Sequence, residues 1–273
     1  MTYVRGIRIL RARISLEKQQ MSVTSLPRSS EMSDAEWDTR CDLAALYRML
    51  HYYKMTDMIY THLSARIPGE PNTFLLNRYG DMFDEVTASS LVKMDMDGNV
   101  IGDQGRFNLA GFNIHSGAYL ARPDVNCVMH THTRAGVAVA ATERGFLPIS
   151  QHAMVIWKDV SHFEYSGPGS VEERDAMGKA CSQSNCVVMR NHGLLAMGHT
   201  VQSAFFRMYY LEMSCQIQST AQSMNEPLHM APADIEKMSV DHYETRLAAD
   251  DLGQMEWESL TRMLERQGAD YRC

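Results

Sequence analysis

The feature that most constrains this fold is an apolar segment that ends on two histidines. Residues 124–130 have the composition of a buried β-strand, and His130-Thr131-His132 stands at its carboxyl end. In α/β sheets, the carboxyl ends of strands are where ligand sites form. Because residues i and i+2 of a strand point to the same face, the two imidazoles can share one ion. Two surface histidines around a threonine would give the same pattern, so this pair alone does not establish a metal site.

A third histidine follows a second buried segment. Residues 186–190 predict another strand, and Gly193 permits a tight turn directly after His192. If the two strands are neighbours in the sheet, three imidazoles converge at one edge. Three neutral nitrogen ligands leave a coordination position open for water or substrate, which is typical of a catalytic metal site. Imidazole suits zinc, iron, nickel or copper better than magnesium or calcium.

The rest of the pattern predicts a three-layer α/β/α sandwich with a mixed, largely antiparallel central sheet. Apolar residues recur at helical spacing in several segments, and Asp97-Gly98 predicts a β-hairpin. The predicted helices cover residues 34–54, 111–121, 135–142, 170–180 and 200–224. The other predicted strands cover residues 61–67 and 73–76, with extended segments at 148–149 and 154–156.

Composition excludes several classes of function. The 273 residues carry a net charge of −7, which argues against a nucleic-acid partner because phosphate binding relies on Lys and Arg. No apolar run approaches the roughly 20 residues of a membrane span. The six cysteines form no C-x-x-C pair, which is typical of unpaired thiols in a reducing compartment. We therefore expect a soluble, cytoplasmic protein that does not bind membranes.

Two motifs carry a resemblance to a known family. The segment ARPDVNCVMHTHT at 121–133 and the later RNHGLL at 190–195 resemble the class II aldolase/adducin family, as do residues 61–69 and 91–98. The resemblance implies an α/β/α fold that often assembles as a fourfold ring with sites between subunits, so we expect a homotetramer. The residues that it implies as ligands of one divalent transition metal, Zn²⁺ by preference and Fe²⁺ as the alternative, are His130, His132 and His192.

The chain departs from this family where sugar-phosphate aldolases carry a Pro-Ser-Ser-Glu segment. That segment supplies phosphate-binding serines and an acid/base glutamate, whereas residues 108–111 here are Asn-Leu-Ala-Gly. His152, near the position of the family's proton-donating tyrosine, and His115 are therefore candidates for moving protons, because imidazole titrates near physiological pH. A solvated loop residue and a buried structural histidine are the alternatives for these two. The candidates for substrate binding are His62, Ser64 and Asn191.

These observations predict a metal-dependent carbon–carbon lyase, an aldolase or a decarboxylase, that acts on a non-phosphorylated oxo or hydroxy carbonyl compound. A non-haem iron oxygenase is an alternative, although the commoner oxygenase triad has two histidines and a carboxylate. A non-enzymatic assembly module, like the adducin head, is a second alternative. The predicted division of the chain is a flexible or processed N-terminal arm at 1–33, a class II aldolase/adducin-like domain at 34–225 and a C-terminal helical extension at 226–273.

Overall fold

A computed structural model describes residues 32–102, 105–164 and 171–273. Nearly all of the predicted N-terminal arm, residues 1–31, lies outside the described residues. The described chain forms one mixed sheet with helices on both faces, which confirms the predicted α/β/α sandwich. The proposed division at residue 225 stays a prediction, and the helices beyond it pack against the same core through Trp257 and Leu264.

The central sheet has eight strands in the described part of the chain, in the order β4-β3-β2-β1-β5-β8-β7-β6. All neighbouring pairs are antiparallel except β6 and β7, which are parallel. The strands are β1 (His62–Ile67), β2 (Glu70–Leu76), β3 (Val92–Asp95), β4 (Val100–Ile101), β5 (Cys127–Thr131), β6 (Val160–Phe163), β7 (Cys186–Met189) and β8 (Gly193–Gly198).

The helices begin at the signals that the sequence contains. Ser33 accepts a hydrogen bond from the backbone N–H of Glu36, and Thr200 forms a reciprocal capping box with Ser203. The helices are α1 (Asp34–Tyr52), α2 (Leu109–Ala121), α3 (Arg134–Ala140), α4 (Gln151–Ile156), α5 (Val171–Cys181), α6 (Val201–Ser223), α7 (Ala233–Leu247) and α8 (Gln254–Arg266).

Side-chain alternation divides the interior into two cores, one on each face of the sheet. In β5, Cys127 and Met129 face the larger core with helices α1, α6 and α8, whereas Val128 faces the smaller core with α2 and α5. Because strand side chains alternate, His130 lies on the same side as Val128, towards α2. His62 pairs with His130 across the β1–β5 ladder, so the two histidines share this face.

The first helix holds β1 in place beside the histidines. The hydroxyl of Tyr47, fully buried in α1, accepts a hydrogen bond from the backbone N–H of Leu63 at 2.8 Å. The same hydroxyl lies 2.9 Å from the side-chain oxygen of Asn77, at the end of β2. A buried backbone N–H is costly if it has no partner, so this contact fixes the strand directly after His62.

One prediction from the sequence was wrong, and one condition that it set for the convergence of the histidines is not met. Residues 154–156 are not extended but form the end of α4, whose first turn is capped by Ser150, which accepts from the N–H of Ala153. The strands that precede His130 and His192 are not neighbours, because β8 lies between β5 and β7. The sequence GLLAMG of β8 is short and wholly buried, and such an apolar run has no period that separates strand from helix.

None of the described helices is long and apolar enough to cross a membrane. All six cysteines are free thiols, and five of them are buried. Burial raises the pKa of the Cys181 thiol to about 12, so this cysteine stays protonated and unreactive at neutral pH.

Candidate metal centre

Three imidazole rings meet at the end of β5. The ring centroids of His130 and His132 are 4.7 Å apart, and each lies 4.8–4.9 Å from the ring of His192. One ring nitrogen of each histidine lies within 4.8 Å of the other two, and the Nε2 atoms of His130 and His132 are 2.9 Å apart. Nitrogens that share a tetrahedral zinc ion at about 2.0–2.1 Å are about 3.3 Å apart. The spacing therefore fits one ion.

Hydrogen bonds at the outer nitrogens set the tautomers of two of these rings. The Nδ1–H of His130 donates to the carbonyl oxygen of Leu194 in β8 at 3.0 Å. The Nδ1–H of His132 donates to the Oδ2 atom of Asp57 at 3.1 Å. A neutral imidazole carries one proton, so the Nε2 atoms that face each other have free lone pairs. Backing by a carbonyl or a carboxylate is the arrangement that orients histidine ligands around metals.

The β7–β8 turn delivers the third histidine. Asn191 adopts a left-handed conformation with a φ of +56°, and Gly193 packs so closely on the carbonyl of Thr131 that a β-carbon would collide with it. These two residues reverse the chain within a tight turn. The turn places His192 beside the end of β5, although β7 and β5 are not adjacent strands. Gly193 predicted this turn from the sequence, whereas strand β8 between β5 and β7 was not predicted.

The electrostatic environment keeps two of these rings neutral, those of His130 and His192. Burial lowers the pKa of His130 well below its ordinary value, and positive charge on the neighbouring histidines would lower it further. Burial, followed by the proximity of His132, lowers the pKa of His192 to about 4. Neutral imidazole is the form that binds metals, so His130 and His192 need not lose protons to act as ligands at neutral pH.

The histidines open onto a cavity of about 410 Å³ at the sheet edge. Its wall combines the three imidazoles with polar and aromatic groups from the β1 and α2 ends. The other lining residues are Asp57, Tyr60, His62, Tyr79, Asn108, Ala110 and Ile114. A small organic molecule fits a space of this size and can reach the three imidazoles directly.

A line of buried polar groups lies behind one wall of this cavity. The Nδ1 atom of His62 is 2.7 Å from the Nε2 atom of His115 in α2. The other nitrogen of His115 makes a short hydrogen bond with the hydroxyl of Ser64, which is 2.7 Å from the hydroxyl of Tyr119. Burial lowers the pKa of His115 to about 3 and raises that of Tyr119 well above its ordinary value.

Comparison with known proteins gives one consistent result. Residues 41–219 match the family model described as Class II Aldolase and Adducin N-terminal domain. A Caulobacter vibrioides protein provisionally named a class 2 aldolase is 38% identical over 243 residues, covering 88% of this chain and 94% of that protein. A solved aldolase II superfamily protein from Pseudomonas syringae is 40% identical with a TM-score of 0.85, covering 89% of this chain and 98% of that one.

The chain belongs to the class II aldolase and adducin family. Class II aldolases are typically metal-dependent lyases, whereas adducins are not enzymes. Mouse α-adducin is 36% identical over 245 residues, which are 84% of this chain but 33% of the adducin. The family therefore contains both enzymes and proteins that are not enzymes, and the site itself must distinguish them.

In this member of the class II aldolase and adducin family, the predicted site residues other than the three metal ligands lie in three places. His62 lines the cavity, whereas Ser64 and His115 are fully buried one layer behind it. His152 lies outside the cavity of its own chain, on α4, where its ring packs against Tyr210 at a centroid distance of 5.6 Å. Asn191 shapes the turn beside His192 and does not line the cavity.

The lack of a side chain at Gly111, where the resemblance to sugar-phosphate aldolases would place a glutamate, is explained by the packing of His62. A β-carbon on Gly111 would lie 2.7 Å from Cδ2 and 3.0 Å from Nε2 of the His62 ring. Real β-carbon contacts are not that short, so no side chain fits at position 111 while His62 keeps its place. The imidazole of His62 thus occupies the space that the β-carbon of a glutamate at position 111 would need.

Reasoning from the sequence missed several residues of the site, among them Asp57, Tyr60 and Tyr119. Asp57 lies in the loop between α1 and β1, 75 positions from the histidine that it contacts. Tyr119 is spaced four residues after His115 in α2, so helical periodicity places both on one face, which was the available signal. No local pattern marks Asp57, because its role depends on a contact made only after folding.

Proposed function

We propose that this protein is a metal-dependent lyase, an aldolase or decarboxylase, that cleaves a small non-phosphorylated oxo or hydroxy carbonyl compound. His130, His132 and His192 hold one divalent transition metal, with zinc favoured. The observation that carries the proposal is the pair of oriented rings: Leu194 and Asp57 hold the outer nitrogens, so that two unprotonated Nε2 atoms face one centre. Adducin-like assembly would not require this orientation.

The cavity wall supports a substrate without a phosphate group. Among the described residues that line it, none is a lysine or an arginine. Asn108 uses its side-chain oxygen to cap α2 by accepting from the N–H of Ala110 at 3.1 Å. A dianionic phosphate is bound most often by arginine, lysine or several free N–H groups, and this wall offers no such cluster.

The chain's own residues have distinct tasks in such a reaction. A bound metal would supply a Lewis acid that polarises a carbonyl oxygen and stabilises negative charge on it. The three histidines are neutral ligands, which leaves the full positive charge of the ion available to the substrate. His62 and Tyr60, on the cavity wall, contact and orient the substrate.

Metal analysis tests the proposal. Protein purified without chelators is expected to contain about one transition metal ion per chain, and His132→Ala should lose it. His51→Ala is the matched control, because His51 is an exposed histidine at the end of α1. A wild-type protein that neither contains such an ion nor binds added zinc or ferrous iron would overturn the proposal.

A substrate screen then identifies the reaction. Non-phosphorylated 2-oxo and hydroxy-oxo acids are supplied to the zinc-loaded protein, and aldehyde, pyruvate or carbon dioxide is measured. Product formed without oxygen supports the lyase, whereas turnover that requires ferrous iron and consumes oxygen would replace it with an oxygenase. The same screen with His132→Ala shows whether the signal depends on the histidine centre.

We also expect the enzyme to act as a homo-oligomer, with a tetramer favoured. Large apolar side chains around the cavity mouth are exposed in the single chain: Met58 is 63% exposed, Tyr60 47% and Tyr79 40%. Clusters of this kind on a soluble protein are typical of contact surfaces. Light scattering coupled to gel filtration measures the mass, and a value of 30.9 kDa, the mass of one chain, would exclude the oligomer.

A further inference from the structure

The buried line from Tyr119 to His62 has one hydrogen-bond direction that satisfies every member. The exposed fractions are 0% for Tyr119, Ser64 and His115, and 3% for His62. Water is therefore a poor substitute for any missing partner. Among the described residues, the hydroxyl of Tyr119 forms its hydrogen bond with the hydroxyl of Ser64.

The direction follows from the tyrosine end. Burial raises the pKa of Tyr119, so its hydroxyl keeps its proton and must donate it. The acceptor is the Oγ atom of Ser64, whose own proton is then directed to Nδ1 of His115. An undonated buried hydroxyl would cost about 1–3 kcal/mol, which disfavours the reverse direction.

The histidine end follows by the same count of protons. A neutral imidazole has one donor and one acceptor nitrogen. Because His115 accepts at Nδ1, it carries its proton on Nε2 and donates to Nδ1 of His62 over 2.7 Å. His62 must then carry its own proton on Nε2. This leaves His62 with an N–H group on the cavity side and no lone pair there.

The position of His62 gives this N–H group a target. The ring of His62 lies over that of His130 with centroids 5.0 Å apart, and it lines the same cavity. Because Nδ1 of His62 is held by His115 behind the wall, Nε2 is the ring nitrogen that is left for the cavity side. A ligand held at the three histidines would occupy the same cavity as this donor.

We propose that His62 is a fixed hydrogen-bond donor to an oxygen of the carbonyl substrate, and neither a fourth metal ligand nor a base. Resting on the proposed lyase function, this inference assigns to His62 the stabilisation of the oxygen that gains negative charge. His115, Ser64 and Tyr119 are positioning residues that hold its tautomer. A neutral imidazole that acts as such a donor is a known catalytic device, and it avoids a competing positive charge beside the metal.

The tautomer is measurable without turnover. Long-range ¹H–¹⁵N correlation spectra of protein labelled with ¹⁵N-histidine distinguish a proton on Nε2 from one on Nδ1, and His62→Gln identifies the signal by its loss. We expect the Nε2–H form of His62 in metal-free protein and after addition of zinc. A proton on Nδ1, or a zinc-induced change at Nε2 that marks direct ligation, would overturn the proposal.

Variants test the role in the reaction. His62→Leu should lower kcat about 100- to 1000-fold, the usual effect of losing a donor to a developing oxyanion, while one zinc per chain is retained. His62→Gln, which keeps an N–H donor of similar reach, should recover part of that loss. Equal losses in both variants, or loss of zinc, would contradict the donor role. Circular dichroism and thermal melts verify that each variant is folded.

The distal end of the line has a matched control. Tyr119→Phe removes the proton that orders the line, and we expect a mixed His62 tautomer and a lower kcat with little change in KM. Tyr271→Phe removes the hydroxyl of another buried tyrosine, outside the line, and should leave the His62 signal unchanged. An unchanged tautomer in Tyr119→Phe would overturn the ordering argument. If zinc binding or activity is absent from the wild type, the lyase proposal fails separately, because the tautomer is still observed.

Discussion

Asp57 accepts a hydrogen bond from Nδ1 of His132 across 3.1 Å, and the two residues come from different ends of the site. The carboxylate stands in the loop after α1, whereas the histidine follows β5. Asp57 thus fixes both the tautomer and the angle of an imidazole that is only partly buried. The geometry of the metal centre depends on this loop as well as on the sheet.

Removal of this carboxylate should weaken metal binding. We expect Asp57→Ala to lower zinc affinity about 10- to 100-fold, the usual effect of deleting a group that orients a histidine ligand. Competition with a chromophoric chelator measures the change. Asp84→Ala is the control, because Asp84 also pairs with a histidine, the exposed His51 at 3.7 Å. Equal zinc affinity in the two variants would remove Asp57 from the description of the centre.

A side chain at position 111 should be tolerated only if His62 is replaced by a smaller residue. Gly111→Ala places a methyl group against the His62 ring, and overpacking of this kind costs about 1–3 kcal/mol. In a His62→Ala background the same change should cost much less, because the space is then available. A double-mutant cycle from urea unfolding measures the coupling. Additive effects would mean that the two positions do not compete for space.

Acid should destabilise the metal-free protein through His115. Its pKa falls from 6.5 to about 3 on folding because of burial, so the native state excludes a proton that the unfolded chain binds. The stability from this group is present above pH 6.5 and is lost as the pH falls towards 3, at up to about 1.4 kcal/mol per unit. His115→Gln should therefore flatten the fall in unfolding free energy between pH 6.5 and 5. A slope identical to that of the wild type would contradict this assignment.

Asp42 in α1 predicts the opposite dependence on pH. Burial raises its pKa from 3.8 to about 6, with the positive charge of Arg272 opposing the shift. The native state thus holds a proton more tightly than the unfolded chain, and stability is lost as the pH rises from 3.8 through 6. Asp42→Asn should stabilise the protein at pH 8 by up to about 3 kcal/mol and have little effect near pH 3.5. Thermal melts at both values check this; equal shifts would exclude a protonation effect.

Local patterns in the sequence were sufficient to predict the main helices and the edge of the sheet where the histidines meet. Helical spacing and the capping serine predicted a helix from residue 34, and the structure has α1 at Asp34–Tyr52. Two apolar runs that end on histidines predicted the convergence at the sheet edge, and the three rings do converge. These signals are local because they reflect the period of a helix, the composition of a buried strand and the turn that follows it.

What the sequence could not supply are the contacts that depend on topology. The position of β8 between β5 and β7 depends on how all the strands of the sheet pair. No residue in the β8 segment GLLAMG predicts that position. The contact between His62 and His115 joins positions 53 residues apart, and its chemistry depends on a distance set by packing of α2 on β1. His152 was placed by analogy with a motif, whereas α4 directs its ring to Tyr210.

The competition between His62 and position 111 also restricts the order in which mutations can accumulate. With the imidazole in place, a glutamate at position 111 would first have to force its β-carbon into an occupied volume. A variant of this chain could therefore gain a carboxylate at that site only after position 62 had become smaller. The size of the side chain at position 62 thus limits which residues position 111 can accept.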